Sequence, residues 1–395
     1  KSYSDQCQQC GSFIKENTLI NPISILSNTI PKKKKTINFY IRFKDKKKFL
    51  LKLIKHYKFF KNKKKIILTL KNFIKYGLED RSITRDINWG IKIPIKKYKN
   101  KVLYVWFEAV LGYITSTIDY FINKKKWKKY WFNKKNKLIC FIGKDNILFH
   151  NLFLPIIIYN YNKNVLLPSY IHANEFLKLN GEKISTSNNW AIFIDDYIKS
   201  FPNMEDSLRY SLIKDMPINN DSNFTWEKFK NNNNNELIGI FGNFINRVLV
   251  LIDKFNNNRI PKNIILKKKE KKILKYISKY PSKIGKLILN FEFKLALKKF
   301  IKLSIIGNKY LSYNKPWELK NKQKIKRNTI LFIVSQIIGY ITHLSIFFLP
   351  KTHKVLLKII NMKEINLLNF KKKKYIIPFN KKIKKKKIIF RKIKN

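Results

Sequence analysis

The chain has 395 residues, of which 45% are hydrophobic, so it is long enough for two or three domains that each bury a core. A largely disordered or fibrous protein is therefore excluded. Its 85 Lys and Arg residues against 24 Asp and Glu residues leave a net charge of +61. This charge predicts a polyanionic partner, namely RNA, DNA or an anionic membrane surface. Because Lys, Asn, Ile, Phe and Tyr are all abundant while Ala occurs only four times, we attribute much of the lysine excess to AT-rich codon usage.

Cysteine is scarce in this chain. Three cysteines, at positions 7, 10 and 140, provide no disulfide framework and are typical of a reducing, cytoplasmic environment. Cys7 and Cys10 have the spacing of a zinc knuckle. Structural zinc takes four ligands, so this pair supplies half of a site.

Two segments in the first half of the chain have the pattern of a strand followed by a turn and a helix. The first runs from Lys101 to Tyr113, and the second from Leu138 through Gly-Lys-Asp to His150. This alternation predicts an α/β fold, in which ligands bind at the carboxyl ends of the strands. Asp145 directly follows its strand and can accept hydrogen bonds from a ribose. Residues 12–80 are expected to form strands such as Ile37–Phe43 and then helices.

The stretch Gly181–Ser187 is a candidate phosphate-binding loop. Lys183 supplies a mobile positive charge and Ser185 and Ser187 supply hydrogen-bond donors. We expect a helix over Ala191–Ile198, whose first backbone amides would add positive potential. In so lysine-rich a chain, such a segment taken alone is more often a surface turn.

The last part of the chain is predicted to be helical. The run Asn231–Asn235 is predicted to mark a domain boundary, with its last residues capping the next helix. Thr329–Leu349 contains no charged residue and is long enough to span a bilayer. Polar residues interrupt it and the sequence offers no second such segment, so we predict a core helix and no membrane partner.

These motifs occur in the order of a known family. Trp-Phe-Glu-Ala ending at 109, Gly-Lys-Asp-Asn beginning at 143, Ala-Asn-Glu-Phe at 173–176 and Lys-Ile-Ser-Thr-Ser at 183–187 resemble methionyl-tRNA synthetase, a class I aminoacyl-tRNA synthetase. The resemblance begins at Cys7 and ends at Ile393. It implies four segments, which are the remainder of a zinc-bearing connective insertion (1–80), the second half of a Rossmann-type α/β catalytic domain (81–195), a module that contacts the tRNA stem (196–232) and an all-α anticodon-binding bundle (233–395).

The resemblance also implies a reaction and its participants. Methionine and ATP, with Mg²⁺, would form methionyl-adenylate and pyrophosphate, and the methionyl group would then pass to tRNA(Met). None of the five histidines forms the family's His-x-Gly-His element. We therefore expect a fragment that lacks the N-terminal half and is inactive alone, with Cys7 and Cys10 binding structural zinc in the complete, cytoplasmic enzyme.

Site residues follow from the same resemblance, position by position. Lys183 and Arg85 are the implied catalytic residues, and Thr186 stands where the family more often has a second lysine. The remaining implied contacts are Gly143, Asp145, Ser185 and Ser187 for ATP, Trp106, Ala109, Tyr113 and His150 for methionine, and Asn243, Arg247 and Trp317 for the anticodon. Val110 and Leu154 replace a proline and a tryptophan near the methionine pocket.

Two other function classes stay open at this point. The chain could be a catalytically inactive half that persists as an RNA-binding module, because its predicted anticodon-binding helices are complete. Alternatively it could be a sibling class I synthetase for leucine, isoleucine, valine or cysteine, which the Trp-Phe-x-Ala segment and the anticodon residues disfavour.

Overall fold

The computed structural model describes residues 19–24, 27–57, 64–76, 79–121, 125–186, 188–365, 375–384 and 389–394. They form two compact units, Lys1–Asn174 and Glu175–Asn395. The predicted four-segment organisation is finer than this division, and Asn174 falls inside the predicted 81–195 segment. The three boundaries between the four predicted segments stay predictions.

The first unit contains short strands that pair two at a time. Two of these pairs are antiparallel, whereas β5 and β6 are parallel, with Cys140 opposite Ile171. The strands are β1 (Tyr40–Ile41), β2 (Arg81–Ser82), β3 (Thr84–Arg85), β4 (Val102–Leu103), β5 (Leu138–Gly143) and β6 (Pro168–Asn174). A parallel pair needs a crossover connection, and here a helix between β5 and β6 provides it. The predicted α/β pattern is therefore present in this unit.

Helices of the first unit cover a single apolar cluster. They are α1 (Lys47–Tyr57), α2 (Lys64–Tyr76), α3 (Val105–Ala109), α4 (Gly112–Tyr120), α5 (Lys128–Trp131) and α6 (Leu154–Tyr161). On α1, Phe49, Leu50, Leu53 and Tyr57 recur at helical spacing and are buried in this cluster with Trp106. A π-helical turn, Phe149–Phe153, leads into α6 and buries His150. Such turns widen a helix locally and are frequent at functional sites.

The second unit begins with a three-stranded sheet. It consists of β7 (Leu177–Leu179), β8 (Glu182–Lys183) and β9 (Ser222–Phe224) in the order β8-β7-β9. Asn180 and Gly181 join β7 to β8 with φ angles of 49° and 90°. Positive φ at both positions is what a tight hairpin turn needs, and Asn-Gly is the residue pair that adopts it most readily. This turn places Lys183 on a strand next to β7.

Helices make up most of the second unit. They are α7 (Ile194–Ser200), α8 (Glu205–Lys214), α9 (Trp226–Asn231), α10 (Asn243–Asn256), α11 (Lys268–Ile277), α12 (Tyr280–Leu289), α13 (Phe293–Asn314), α14 (Lys324–Leu344) and α15 (Pro350–Ile359). Their apolar faces form one large buried cluster. Asp206 on α8 accepts backbone hydrogen bonds from Lys351 and Thr352, at 3.3 and 2.6 Å, and so caps the start of α15.

The predicted helix cap in the asparagine run is wrong. The π-helical segment Asn232–Gly242 joins α9 to α10, so that the chain stays helical through the run. Asn233 is fully buried and accepts a hydrogen bond from the Ser207 hydroxyl at 2.9 Å. Buried side-chain hydrogen bonds therefore satisfy asparagines that would favour caps or turns in isolation.

Two helices in the described residues are long and apolar enough to cross a membrane, Trp226–Asn256 and Asn321–Phe347. The expectation of a single such segment is therefore wrong, because the continuous α9–α10 helix produces a second. Protein covers 89% of the apolar window of Asn321–Phe347 and 44% of that of Trp226–Asn256. The first value agrees with the predicted core helix, since its apolar side chains already pack against protein.

Candidate functional site

The carboxyl end of β5 carries the predicted ribose-binding residues. Gly143 ends the strand, and Lys144–Asn146 form one 3-10 turn in which Asp145 is exposed. A Cβ atom on Gly143 would lie 2.5 Å from the Asp145 carboxylate, closer than real Cβ contacts. The glycine thus allows the Asp145 carboxylate to lie against the end of the strand and remain accessible to a ligand.

Tyr113 and His150 form a hydrogen-bonded pair. The Tyr113 hydroxyl lies 2.7 Å from His150 Nε2, and His150 Nδ1 lies 3.0 Å from the Asn146 carbonyl oxygen. A carbonyl oxygen only accepts, so Nδ1 carries the proton and the tyrosine hydroxyl donates to Nε2. Burial lowers the pKa of His150 and raises the pKa of Tyr113. The pair is therefore neutral near pH 7 and fixed in one tautomer.

Trp106 and Ala109 lie on α3. The Trp106 ring is buried, and its Nε1 donates to the Ser82 carbonyl oxygen at 3.1 Å. The Phe149 ring centroid lies 6.4 Å from that of Trp106, and Phe149 precedes His150 on the π-helical turn. Ala109 is exposed at the end of α3.

Three residues that were not predicted as site residues surround Trp106. The Phe153 ring centroid lies 4.7 Å from that of Trp106, and the Arg81 guanidinium lies 5.1 Å from the Trp106 ring and 5.2 Å from the Phe153 ring. Phe149 is the third. Arg81 had one signal in the sequence, because arginine occurs eight times and Arg81, Arg85, Arg209 and Arg247 all lie in motif-bearing stretches. The phenylalanines had none, since Phe occurs 30 times.

The Arg85 side chain packs against residues of the first unit. Its guanidinium lies 3.8 Å from the centroid of the Tyr104 ring and donates to the Thr84 carbonyl oxygen at 2.9 Å and to the Ser82 hydroxyl. Cation–π contact and these hydrogen bonds hold the side chain in one orientation.

Lys183 lies on β8 in the second unit. Its side chain is exposed, and its Nζ lies 4.6 Å from the Phe176 ring centroid. Beyond it, Ser185 and Trp190 pair through backbone hydrogen bonds of 3.0 and 2.9 Å, and the Trp190 indole donates to the Leu179 carbonyl oxygen. Ser187 lies outside the described residues. These contacts pair Ser185 with Trp190 and hold the Trp190 indole against β7.

The predicted helix start at Ala191 is wrong. Helix α7 begins at Ile194 and not at Ala191, and the Ser185 amide already donates to the Trp190 carbonyl oxygen. The helix therefore starts three residues later than predicted, and the Ser185 amide is used within the Ser185–Trp190 pairing.

Arg247 and Trp317 lie together in the helical part of the second unit. The Arg247 guanidinium lies 5.4 Å from the Trp317 ring centroid and donates to Asn308 of α13 at 3.1 Å. Asn243 is exposed one turn before Arg247 on α10, so the two share a helix face. Trp317 follows α13 and keeps 41% of its surface exposed. The three predicted anticodon residues therefore include one pair in direct contact.

A family model described as tRNA synthetases class I (M) matches residues 1–249, which is more than half of the chain. The chain belongs to this family. Its relatives within the class I (M) synthetases include the methionine–tRNA ligase of Christiangramia forsetii, which is 38% identical over 362 residues, or 91% of this chain and 52% of the relative. The corresponding ligase of Pyrococcus horikoshii is 36% identical over 98% of this chain and 55% of its own. The chain thus spans about half the length of the curated relatives that it matches.

Solved structures agree with a class I synthetase fold. Mycobacterium tuberculosis methionyl-tRNA synthetase in complex with methionyl-adenylate superposes with a TM-score of 0.82 and 20% identity, covering 96% of this chain and 74% of the other. The apo form of the same enzyme gives a TM-score of 0.77 over 94% of this chain and 72% of the other. The class I (M) fold, including a helical C-terminal region, is therefore confirmed.

The predicted zinc ligands lie near the start of the chain. Cys7 and Cys10 both lie outside the described residues, so zinc binding stays a prediction. Within the described ranges, the His, Cys, Asp and Glu side chains form no group of three or more that could hold a metal ion. Cys140 is a buried thiol whose pKa burial raises to about 11.

Proposed function

We propose that this chain is part of a methionine–tRNA ligase, and that the complete cytoplasmic enzyme attaches methionine to tRNA(Met) through methionyl-adenylate. The observation that carries the proposal is the match to curated methionine–tRNA ligases, at 34–38% identity over nine-tenths or more of the chain. Motif order and site geometry support it, since the matched motifs include the Tyr113–His150 pair and the Lys183 strand.

The reaction requires two group transfers. A methionine carboxylate oxygen attacks the α-phosphorus of ATP, a new O–P bond forms, and the bond to the β-phosphate breaks to release pyrophosphate. The 3′-terminal ribose hydroxyl of the tRNA then attacks the activated carbonyl and releases AMP. Neither step needs a covalent bond to the protein, so catalysis consists of positioning and charge stabilisation.

We assign methionine binding to Trp106, Ala109, Tyr113 and His150. An aromatic wall suits a thioether, because sulfur–aromatic contacts contribute roughly 0.3–1.5 kcal/mol. Because the Tyr113–His150 pair is neutral, this pair presents no charge to the apolar methionine side chain. Trp106 is held by Ser82, Phe153 and Arg81, so its ring would be positioned before the ligand arrives.

We assign the nucleotide to residues from the two motifs that resemble ATP-binding segments. Asp145, at the end of β5, would accept hydrogen bonds from the ribose hydroxyls, and Gly143 allows close approach to the strand. Lys183 would neutralise the departing pyrophosphate, with Ser185 and Ser187 donating to its oxygens. Arg85 is assigned to the phosphates by the family resemblance alone. Thr186 leaves this loop with one positive charge fewer than a loop that has lysine there.

We further propose that Asn243, Arg247 and Trp317 read the anticodon. An amide can pair with a base edge, a guanidinium can hydrogen-bond or stack, and an exposed indole offers a platform for an unstacked base. For the 196–232 segment we propose contact with the tRNA stem. For Cys7 and Cys10 we propose half of a structural zinc site, which would contribute two of the four thiolate or imidazole ligands that zinc takes in such sites.

Methionine-dependent exchange of pyrophosphate into ATP tests the proposed activity. Because this sequence contains no His-x-Gly-His element, the 395-residue chain alone should show no exchange, while the chain joined to the proposed N-terminal half should show it. Exchange that depends on leucine, isoleucine, valine or cysteine in place of methionine would identify a sibling synthetase. If the joined protein shows no exchange with any amino acid but still binds tRNA, the chain is an RNA-binding module.

A pair of tryptophan variants tests the methionine pocket in the joined protein. Trp106→Ala should weaken methionine binding much more than ATP binding, because only the side-chain pocket is opened. Trp131→Ala is the matched control, since Trp131 is equally buried in the same apolar cluster and its indole donates to Thr117. Equal losses of methionine affinity in both variants would mean that Trp106 is a core residue.

A further inference from the structure

Two exposed aromatic rings at the end of α13 each have a cation over one face. Trp317 lies under the Arg247 guanidinium, as described above. Tyr313, in the last turn of α13, lies under the Lys269 ammonium of α11, with 4.7 Å between Nζ and the ring centroid. Tyr313 keeps 76% of its surface exposed, so most of its ring is in water. Lys269 thus orients the ring, and one face remains open to a ligand.

A basic stripe leads along α13 to this ring. Lys302, Lys309 and Tyr313 are seven and four residues apart, so they lie within about 40° of each other around a helix with 3.6 residues per turn. All three are exposed, whereas Leu303, Gly307 and Leu311 on the same helix are buried. The stripe is therefore a solvent-facing row of positive charge that ends at an aromatic side chain.

Two acidic residues, Glu318 and Glu270, lie near this surface and are outnumbered by its lysines. Glu318 pairs with Lys315 at 3.1 Å, and Glu270, next to Lys269, is partly buried. Lysines spaced along a helix attract the phosphates of a nucleic-acid backbone, and an open aromatic face stacks an unpaired base. A duplex does not offer such bases, because its bases already stack on each other.

We propose that Tyr313 and Lys269 form a second base-binding position, which takes an unpaired base of an RNA loop next to the position assigned to Arg247 and Trp317. This inference deepens the proposed function, since it rests on the helical region as the reader of a tRNA anticodon loop. Arg247 links the two rings structurally, because it lies over Trp317 and donates to Ser312, the residue before Tyr313, at 3.5 Å.

Binding of short RNA stem-loops to the 395-residue chain tests the proposal. With a CAU anticodon in the loop, Tyr313→Ala should weaken binding about tenfold, the loss expected from one stacked base. Tyr313→Phe should bind like the parent chain, because stacking needs the ring and not the hydroxyl. Leu289→Ala is the matched control, since Leu289 is an apolar residue of the same unit with 78% of its surface exposed. This variant should bind the RNA with unchanged affinity.

Stem-loops in which one loop nucleotide at a time is made abasic locate the contact. When the abasic nucleotide is the one that stacks on Tyr313, the RNA should bind the parent chain and Tyr313→Ala with equal affinity. At any other position, the affinity lost through the missing base and the affinity lost through Tyr313→Ala should add. Lys269→Ala should lose more affinity than Lys268→Ala, its neighbour in sequence. The proposal is overturned if Tyr313→Ala matches Leu289→Ala, or if its loss is the same at every abasic position.

The same titrations separate this inference from the proposed function. If the parent chain binds CAU and mutated anticodon loops equally, the anticodon assignment fails, yet a position-specific coupling to Tyr313 still supports the second base-binding position. If CAU preference is intact but no coupling to Tyr313 appears, the second position is refuted and the anticodon assignment stands.

Discussion

His150 and His172 are both buried in the first unit, and burial lowers the pKa of each imidazole. An unfolded histidine titrates near 6.5, so between that value and the lower folded pKa the unfolded chain binds more protons. The free energy of unfolding should consequently be independent of these residues above about pH 7 and should fall as pH drops below about 6.5. At the scale of single residues, neutral imidazoles in the core therefore predict sensitivity to mild acid.

Chemical unfolding between pH 7.5 and 5.5 measures this effect. His150→Gln and His172→Gln should each reduce the pH dependence of the unfolding midpoint, because neither glutamine titrates. A parent chain whose midpoint does not change over this range would contradict the burial of neutral imidazoles.

Lys183 is the residue with the clearest expected effect on chemistry. In the joined protein, Lys183→Ala should slow adenylate formation by about 10²-fold, which is typical when one preorganised charge contact is removed. Methionine affinity should hardly change, because Lys183 is assigned to the phosphates. The matched control is Lys199→Ala, which removes a lysine from the last turn of α7. Equal losses of methionine affinity and rate would instead indicate a structural role for the β8 strand.

At the scale of elements, two helix glycines that look alike in sequence have different surroundings. Gly307 lies in α13 where the Phe244 ring of α10 packs against the backbone, and a Cβ atom there would overlap that ring. Gly285 lies in α12 with no atom within 4 Å of the position that a Cβ would take. Close contact between α10 and α13 therefore depends on glycine at only the first of these two positions.

Alanine at each position tests this difference. Gly307→Ala should lower the free energy of unfolding by about 1–3 kcal/mol, because the added methyl group forces the packed helices apart. Gly285→Ala should raise it by up to about 1 kcal/mol, because alanine has the higher helix propensity and the site is open. Equilibrium unfolding followed by circular dichroism gives both values, and a gain in stability for Gly307→Ala would contradict the α10–α13 packing.

For the whole molecule, a net charge of +61 predicts that the proposed RNA binding has a large component without sequence information. Contacts between lysines and phosphates weaken steeply with salt, whereas stacking and base-edge hydrogen bonds weaken little. Affinity for RNA with a mutated anticodon should fall by about 10³-fold or more between roughly 50 and 200 mM salt. Preference for a CAU anticodon should persist over that range.

Titrations of both RNAs over a salt series measure the two components. If the preference for a CAU anticodon disappears with rising salt together with the overall RNA affinity, binding is due entirely to charge. A further comparison comes from neutralising Lys384–Lys387, which should weaken both RNAs alike and reduce the salt dependence, whereas Trp317→Ala should remove the preference alone.

The family could be predicted from the sequence, because each of its motifs is a short run whose spacing survives heavy lysine enrichment. Gly143, Asp145 and His150 were recognised in this way, and the structure places them on one strand end and the turn that follows it. The α/β pattern and the helical C-terminal region were likewise determined by local periodicity. The roles of the candidate site residues stay predictions.

Only the tertiary structure decided features that depend on residues far apart in the chain. The asparagine run is helical because buried partners such as Ser207 satisfy its side chains, and Gly307 is distinct from Gly285 because Phe244 lies beside it. Lys269 and Tyr313 are 44 residues apart, so no local pattern predicts that they meet. Local sequence determines propensity and motif, while packing determines which side chains share an environment and therefore which of them can act together.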